Sequence, residues 1–161
     1  MTTTQIVMIA AGLIVVAFFA FLVYAAVIST KVERFYEGLL QKMLEDVHRQ
    51  FKQTLEIELA KGRDRHSASL TAYLASLDIM SAWQTRILIS KYSSGGHAKG
   101  RYSKERITPI VERACESARI AGADAARQLS AVSSKGEFTG PISPLIEEVR
   151  NNALEAALKE L

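Results

Sequence analysis

The sequence predicts an all-α protein in which one N-terminal transmembrane helix continues into a helical stalk, followed by a small antiparallel helical bundle. Residues 6–28 form an uncharged apolar run. Beyond it, apolar side chains recur at intervals of three and four residues, and no alternating pattern indicates a strand. We therefore expect an extramembrane N-terminus at 1–5, a span at 6–28 and one helical soluble domain at 29–161.

The apolar run IVMIAAGLIVVAFFAFLVYAAVI, residues 6–28, contains neither a charge nor a proline. It has the length of about 20 residues that a helix needs to cross a hydrocarbon core of about 30 Å. A cleaved signal peptide is disfavoured because residues 1–5 carry no Lys or Arg and the apolar run is too long. The absence of ionisable residues disfavours a channel or proton relay, so the helix is interpreted as a tether in the lipid bilayer.

The charge distribution predicts the orientation of the chain. None of its 20 basic and 17 acidic residues precedes Lys31, which is followed by Arg34, Lys42 and Arg49. Basic residues beside a span tend to stay in the cytoplasm. We therefore expect a single-pass protein of the inner (cell) membrane with its C-terminal domain in the cytoplasm.

Two apolar stripes follow the predicted span. They could belong to a hairpin that turns near Gly62 or to one long helix, since the second stripe continues the phase of the first. The hairpin is favoured because it buries both stripes within one chain. The first stripe comprises Tyr36, Leu40, Met43, Val47, Phe51, Leu55 and Leu59; the second comprises Leu70, Tyr73, Leu74, Leu77, Met80, Ile87 and Leu88.

Glycine and proline divide the second half of the domain. They predict loops near 91–103 and 133–143. Between these loops, Thr108 as N-cap and Pro109 as first residue predict a helix that ends near Val132. Ser143 and Pro144 predict the start of the last helix in the same way.

One face of the third predicted helix carries small residues. Ala114, Ala118, Gly122 and Ala125 lie along it, followed by Leu129 and Val132. Small side chains fill space only where another backbone comes close, so this face predicts a helix-packing seam.

The loop near 91–103 predicts a basic contact surface. Between Ser67 and Arg106 there are six basic residues and two acidic ones. The surface could bind anionic lipid or nucleic acid weakly, or be only a solvated mobile loop. Its members are Lys91, Lys99, Arg101, Lys104 and Arg106.

No complete catalytic or metal-binding pattern is present. Glu45 and His48 have the Glu-x-x-His spacing of di-metal bundles, but His66 and His97 lack a matching glutamate. Cys115 is the only cysteine, and it lies beside the small-residue face, which indicates a buried structural thiol. We therefore expect no enzyme activity and no cofactor.

The functional hypothesis is a membrane-anchored helical scaffold or adaptor that forms a homo-oligomer or joins a membrane protein complex. The alternative is a phage-type envelope structural or lysis-regulating membrane protein. The layout of the first sixty residues resembles the peripheral-stalk subunit of ATP synthases, which implies an extended helical stalk. The glycine-bearing turns depart from the nearly unbroken charged helices of that family.

Overall fold

The computed structural model describes residues 3–97, 100–132 and 143–160, and the side chains of 24–97, 100–132 and 144–160. The chain divides into two compact units, 1–38 and 39–161. Within the described residues the fold is all-helical, as predicted, and a single β-bridge joins Ser93 to Tyr102. The helices are α1 (Thr3–Ala60), α2 (Arg65–Tyr92), α3 (Lys104–Val132) and α4 (Ser143–Leu158).

The predicted span falls mostly outside the described side chains, which overlap it only at 24–28. Among the described residues, no helix is both long and apolar enough for a membrane crossing. In the first unit, Thr30 donates its hydroxyl to the carbonyl of Ala26 at 2.9 Å, and the rings of Phe35 and Tyr36 meet edge to face. The predicted loop at 133–143 also lies outside the described residues, except for Ser143, where α4 begins.

A glycine turn ends α1 and gives the predicted hairpin rather than one long helix. Gly62 has φ +80°, a left-handed conformation that glycine adopts without steric cost. Its amide donates to the carbonyl of Leu59 at 2.9 Å, and the amide of Arg63 donates to that of Glu58 at 3.2 Å. This pair of bonds is the Schellman motif, which satisfies the last carbonyls of a helix.

Charged side chains fix the same turn. Glu58 is buried, yet its carboxylate lies 2.7 Å from Lys61 Nζ and 3.0 Å from Arg63 Nε. The hydrogen bond from Lys61, with the charge of Arg63, lowers the pKa of Glu58. Asp64 caps α2 by accepting bonds from the amide (3.0 Å) and hydroxyl (2.6 Å) of Ser67, which lower its pKa.

Helix α2 contacts the part of α1 that belongs to the second unit. Trp83 Nε1 donates to Asp46 Oδ2 at 2.9 Å. From the first predicted stripe, Met43 is buried, but Leu40 and Leu59 are exposed.

The core of the second unit lies between α2, α3 and α4. These helices pack antiparallel, with Asp78 of α2 bonded to Arg119 of α3 and with Gly122 of α3 beside Ile146 of α4. Among the described side chains, neither of the two core clusters includes a residue of α1. One comprises Leu77, Ala118, Ala123, Ala126 and Ile146; the other comprises Ile107, Ile110, Val111, Ala114, Cys115 and Leu154.

The start of α3 differs from the sequence prediction. The helix begins at Lys104 rather than after Thr108, and the hydroxyl of Ser103 accepts a bond from the amide of Arg106 at 3.4 Å. Pro109 consequently lies inside the helix, where it cannot donate to the carbonyl four residues earlier. Thr108 donates to the carbonyl of Lys104 at 2.7 Å instead of capping the helix.

Candidate functional site

The basic residues predicted from the sequence gather where α2 ends and α3 begins. Lys91 lies in the last turn of α2, and Lys104 and Arg106 lie in the first turn of α3. These three and Arg101 of the connecting loop are exposed. Lys99 lies outside the described residues. One end of the bundle therefore carries a cluster of positive charge.

Backbone hydrogen bonds close the connecting loop at its base. The amide of Ser94 donates to the carbonyl of Tyr102 at 2.7 Å, and the amide of Tyr102 donates to that of Tyr92 at 3.2 Å. The buried Ser93 accepts from the amides of Gly96 (3.0 Å) and Gly100 (2.9 Å). These hydrogen bonds hold the described part of the loop against the end of α2.

Two glycines let the loop lie directly on the end of α2. A Cβ at Gly96 would be 1.8 Å from the carbonyl oxygen of Ser90, and one at Gly100 would be 2.1 Å from that of Tyr92. Any larger residue at either position would collide with backbone. The glycines are therefore required for this close approach.

A cleft of about 400 Å³ is bordered by the last turns of α2, the described part of the loop and the start of α3. The basic residues on it are Arg86 and Lys104, and no carboxylate is among its described lining residues. The complete described lining is Arg86, Ile89, Ser90, Ser93, Gly95, Gly96 and Lys104.

Arg86 was not among the predicted contact residues, because that prediction was limited to the basic residues between Lys91 and Arg106. Arg86, Ser90 and Ser93 are spaced four and three residues apart, which places them on one helix face. This spacing is the sequence signal that could have predicted a shared polar surface at Arg86, Ser90 and Ser93. Of the five predicted contact residues, only Lys104 lines the cleft.

A second, more polar cleft of about 440 Å³ lies between α1 and α2 within the second unit. Trp83 is held there by Asp46, which also forms an ion pair with Arg49. The guanidinium of Arg86 lies 5.8 Å from the centre of the Trp83 ring. Arg86 lines both clefts, and its guanidinium lies within cation–π distance of the Trp83 ring.

The structure places most of the predicted small-residue seam in the core. Ala114, Ala118 and Gly122 are buried, and Ala125 is partly buried. A Cβ at Gly122 would lie 2.7 Å from Ile146 Cδ1, so α3 and α4 approach closely there. Leu129 and Val132, expected on the same face, are exposed. Beyond Gly122, the buried positions of α3 are Ala123 and Ala126.

Cys115 is a buried thiol that faces α2 and α4. It is 1% exposed, and burial raises its pKa, opposed by a hydrogen bond with Thr85 and by the charge of Arg150. A thiol that remains protonated at neutral pH is a poor nucleophile. This environment suits a packing role.

The other chemically notable residues lie apart from one another. Glu45 and His48 are both exposed, and Glu45 accepts a bond from Gln41 at 3.2 Å. His66 Nε2 lies 2.8 Å from the hydroxyl of Ser130, a contact that joins the N-terminus of α2 to the end of α3. Within the described ranges, no group of three or more His, Cys, Asp or Glu side chains could hold a metal.

The chain matches no protein-family model, no curated protein and no solved structure with significance.

Proposed function

We propose that this chain is a single-pass, membrane-anchored scaffold or adaptor. In this proposal, residues 6–28 hold it in the lipid bilayer, and its helical domain lies in the cytoplasm. The domain then self-associates or joins a larger membrane complex.

The length and composition of residues 6–28 support the anchor. At the end of this segment, Tyr24, Val27 and Ile28 are exposed, with Tyr24 64% exposed. Exposed apolar side chains suit a lipid environment, and a tyrosine is favoured at the interface between lipid and water.

The observation that carries self-association is the exposed apolar pair on α1. Leu40 and Leu44 are 45% and 63% exposed, and their spacing of four residues puts them on one helix face. Burying a leucine side chain completely stabilises an association by about 1.5–3 kcal/mol. If two copies lie parallel, Leu40 and Leu44 of one copy would pack against the same residues of the other and form the centre of a helix-to-helix contact.

The test is the mass of the full chain in nonionic detergent micelles, measured by light scattering. The parent should be an oligomer, and the double variant Leu40→Lys/Leu44→Lys should be monomeric because lysine would bring charge into the contact. The matched control is Leu129→Lys/Val132→Lys, in which two exposed apolar residues of α3 receive the same change. It should keep the parental mass.

A monomeric parent would contradict self-association. Equal dissociation of both double variants would contradict the assignment of the contact to α1. Circular dichroism of each variant would distinguish either result from loss of helix.

A further inference from the structure

We propose that the cleft formed by Arg86, Ser90, Ser93, Gly95, Gly96 and Lys104 binds a phosphate group. The ligand is either a soluble phosphate compound or the phosphomonoester headgroup of a lipid. This binding would be an additional function of the domain, separate from the self-association proposed above.

The charge of the cleft indicates an anion. Arg86 and Lys104 come from different helices, yet both border the same space of about 400 Å³. No acidic side chain is among the described lining residues of this cleft. Asp46 lines the second cleft, which Arg86 also borders. A guanidinium and an ammonium group together suit an oxyanion, the first by directed hydrogen bonds and the second as a point charge.

The cleft is formed without a ligand. The loop is closed by its backbone hydrogen bonds, and Gly96 lies against the carbonyl of Ser90. Binding to a preformed site avoids the entropy cost of ordering a mobile loop. This distinguishes the cleft from a diffuse basic surface.

The surroundings of Arg86 also favour a defined site. Its guanidinium lies over the Trp83 ring, and the indole N–H is held by Asp46. A restrained arginine loses less side-chain freedom on binding than a fully solvated one. Lys91, Arg101 and Arg106 are exposed, as Arg86 and Lys104 are, but they do not line the cleft.

The test uses the full chain in nonionic detergent, labelled with ¹⁵N-glycine so that its nine glycines give separate amide signals. Sodium phosphate is titrated against sodium chloride of the same ionic strength. Phosphate should shift the signals of Gly95 and Gly96 saturably and leave that of Gly62 unchanged. Chloride should shift none of them comparably.

Charge variants test whether the cleft itself binds. Arg86→Gln/Lys104→Gln should weaken the apparent affinity about tenfold or more, because it removes two charge-assisted hydrogen bonds. The matched control Lys91→Gln/Arg101→Gln removes the same charge nearby and should keep the parental apparent affinity for phosphate. The absence of saturable shifts, or equal weakening by both variants, would overturn the proposal.

Nanodiscs distinguish the two sources of phosphate. If the Gly95 and Gly96 signals shift when phosphatidic acid is included, but not with phosphatidylserine at equal charge, the ligand is a lipid phosphomonoester. If neither lipid shifts them while free phosphate still does, the ligand is a soluble phosphate compound. Equal shifts with both lipids would indicate nonspecific attraction and overturn the site.

Discussion

At the scale of single residues, a close contact between α3 and α4 depends on the missing side chain of Gly122. Ile146 fills the space that a Cβ would occupy, and it is itself 2% exposed. Its side chain therefore has little room to move away. Ala118, one helical turn earlier, is fully buried in the same cluster.

We therefore predict that Gly122→Leu or Ala118→Leu lowers the free energy of unfolding by about 1–3 kcal/mol or more, because extra methyl groups overpack the core. Urea denaturation of the full chain in detergent measures this. The control is Ala131→Leu, an exposed position on the same helix, which should change stability by no more than about 0.5 kcal/mol. If all three variants unfold like the parent, the close packing of α3 and α4 is wrong.

At the scale of elements, the turn between α1 and α2 depends on the cap at Asp64. Its two bonds from Ser67 favour the carboxylate, so the pKa of Asp64 is lower in the folded state than in the unfolded chain. Such a group stabilises the fold fully above its unfolded-state pKa, near about 4. The contribution is lost as the pH falls through the lower folded-state value.

Asp64→Asn provides the matched test, because asparagine is also a good N-cap but does not titrate in this range. We expect the parent to lose stability relative to the Asn variant as the pH falls below about 4. Urea midpoints measured from pH 7 to pH 2.5 check this prediction. A constant difference between the two proteins across that range would show that the Asp64 carboxylate is not selectively stabilised in the fold.

Some helices and turns were predictable from the sequence, and others were not. Apolar periodicity predicted the all-helical fold, and the structure has the predicted turn at Gly62. The predicted start of α3 was wrong. Thr108 and Pro109 match a helix start locally, but the helix begins upstream of both at Lys104, and Ile107 in this added segment packs in the core. The burial of Ile107 therefore outweighs the cost of a proline inside the helix, which removes one backbone hydrogen bond and crowds the carbonyl of Glu105.

At the scale of the whole molecule, the basic cleft could not be predicted from the sequence, because its residues are distant from one another along the chain. A run of basic residues can be read directly, but the cleft needs Arg86 from α2, Lys104 from α3 and a loop folded back onto Ser90. The exposure of Leu40 and Leu44 was also not predictable, since periodicity assigned Leu40 to a buried stripe. It depends on which side of α1 the other helices occupy.

The predicted orientation can be tested by cysteine labelling, because the buried Cys115 should give little background. Thr3→Cys and Asn152→Cys introduce single accessible thiols before the proposed span and on α4, respectively. A membrane-impermeant maleimide applied to intact cells should label the first and not the second. The reverse pattern would place the domain outside the cytoplasm and favour the envelope or lysis alternative.

We propose that anchored copies associate through the Leu40 and Leu44 face of α1. Oxidative cross-linking of Leu44→Cys in native membranes tests this proposal, because copies anchored by residues 6–28 would be parallel and would bring equivalent residues together. The control Lys42→Cys is exposed and lies nearly opposite on the helix. We predict a disulfide-linked dimer for Leu44→Cys and little or none for Lys42→Cys. Monomer for both, or equal cross-linking of both, would contradict the claim.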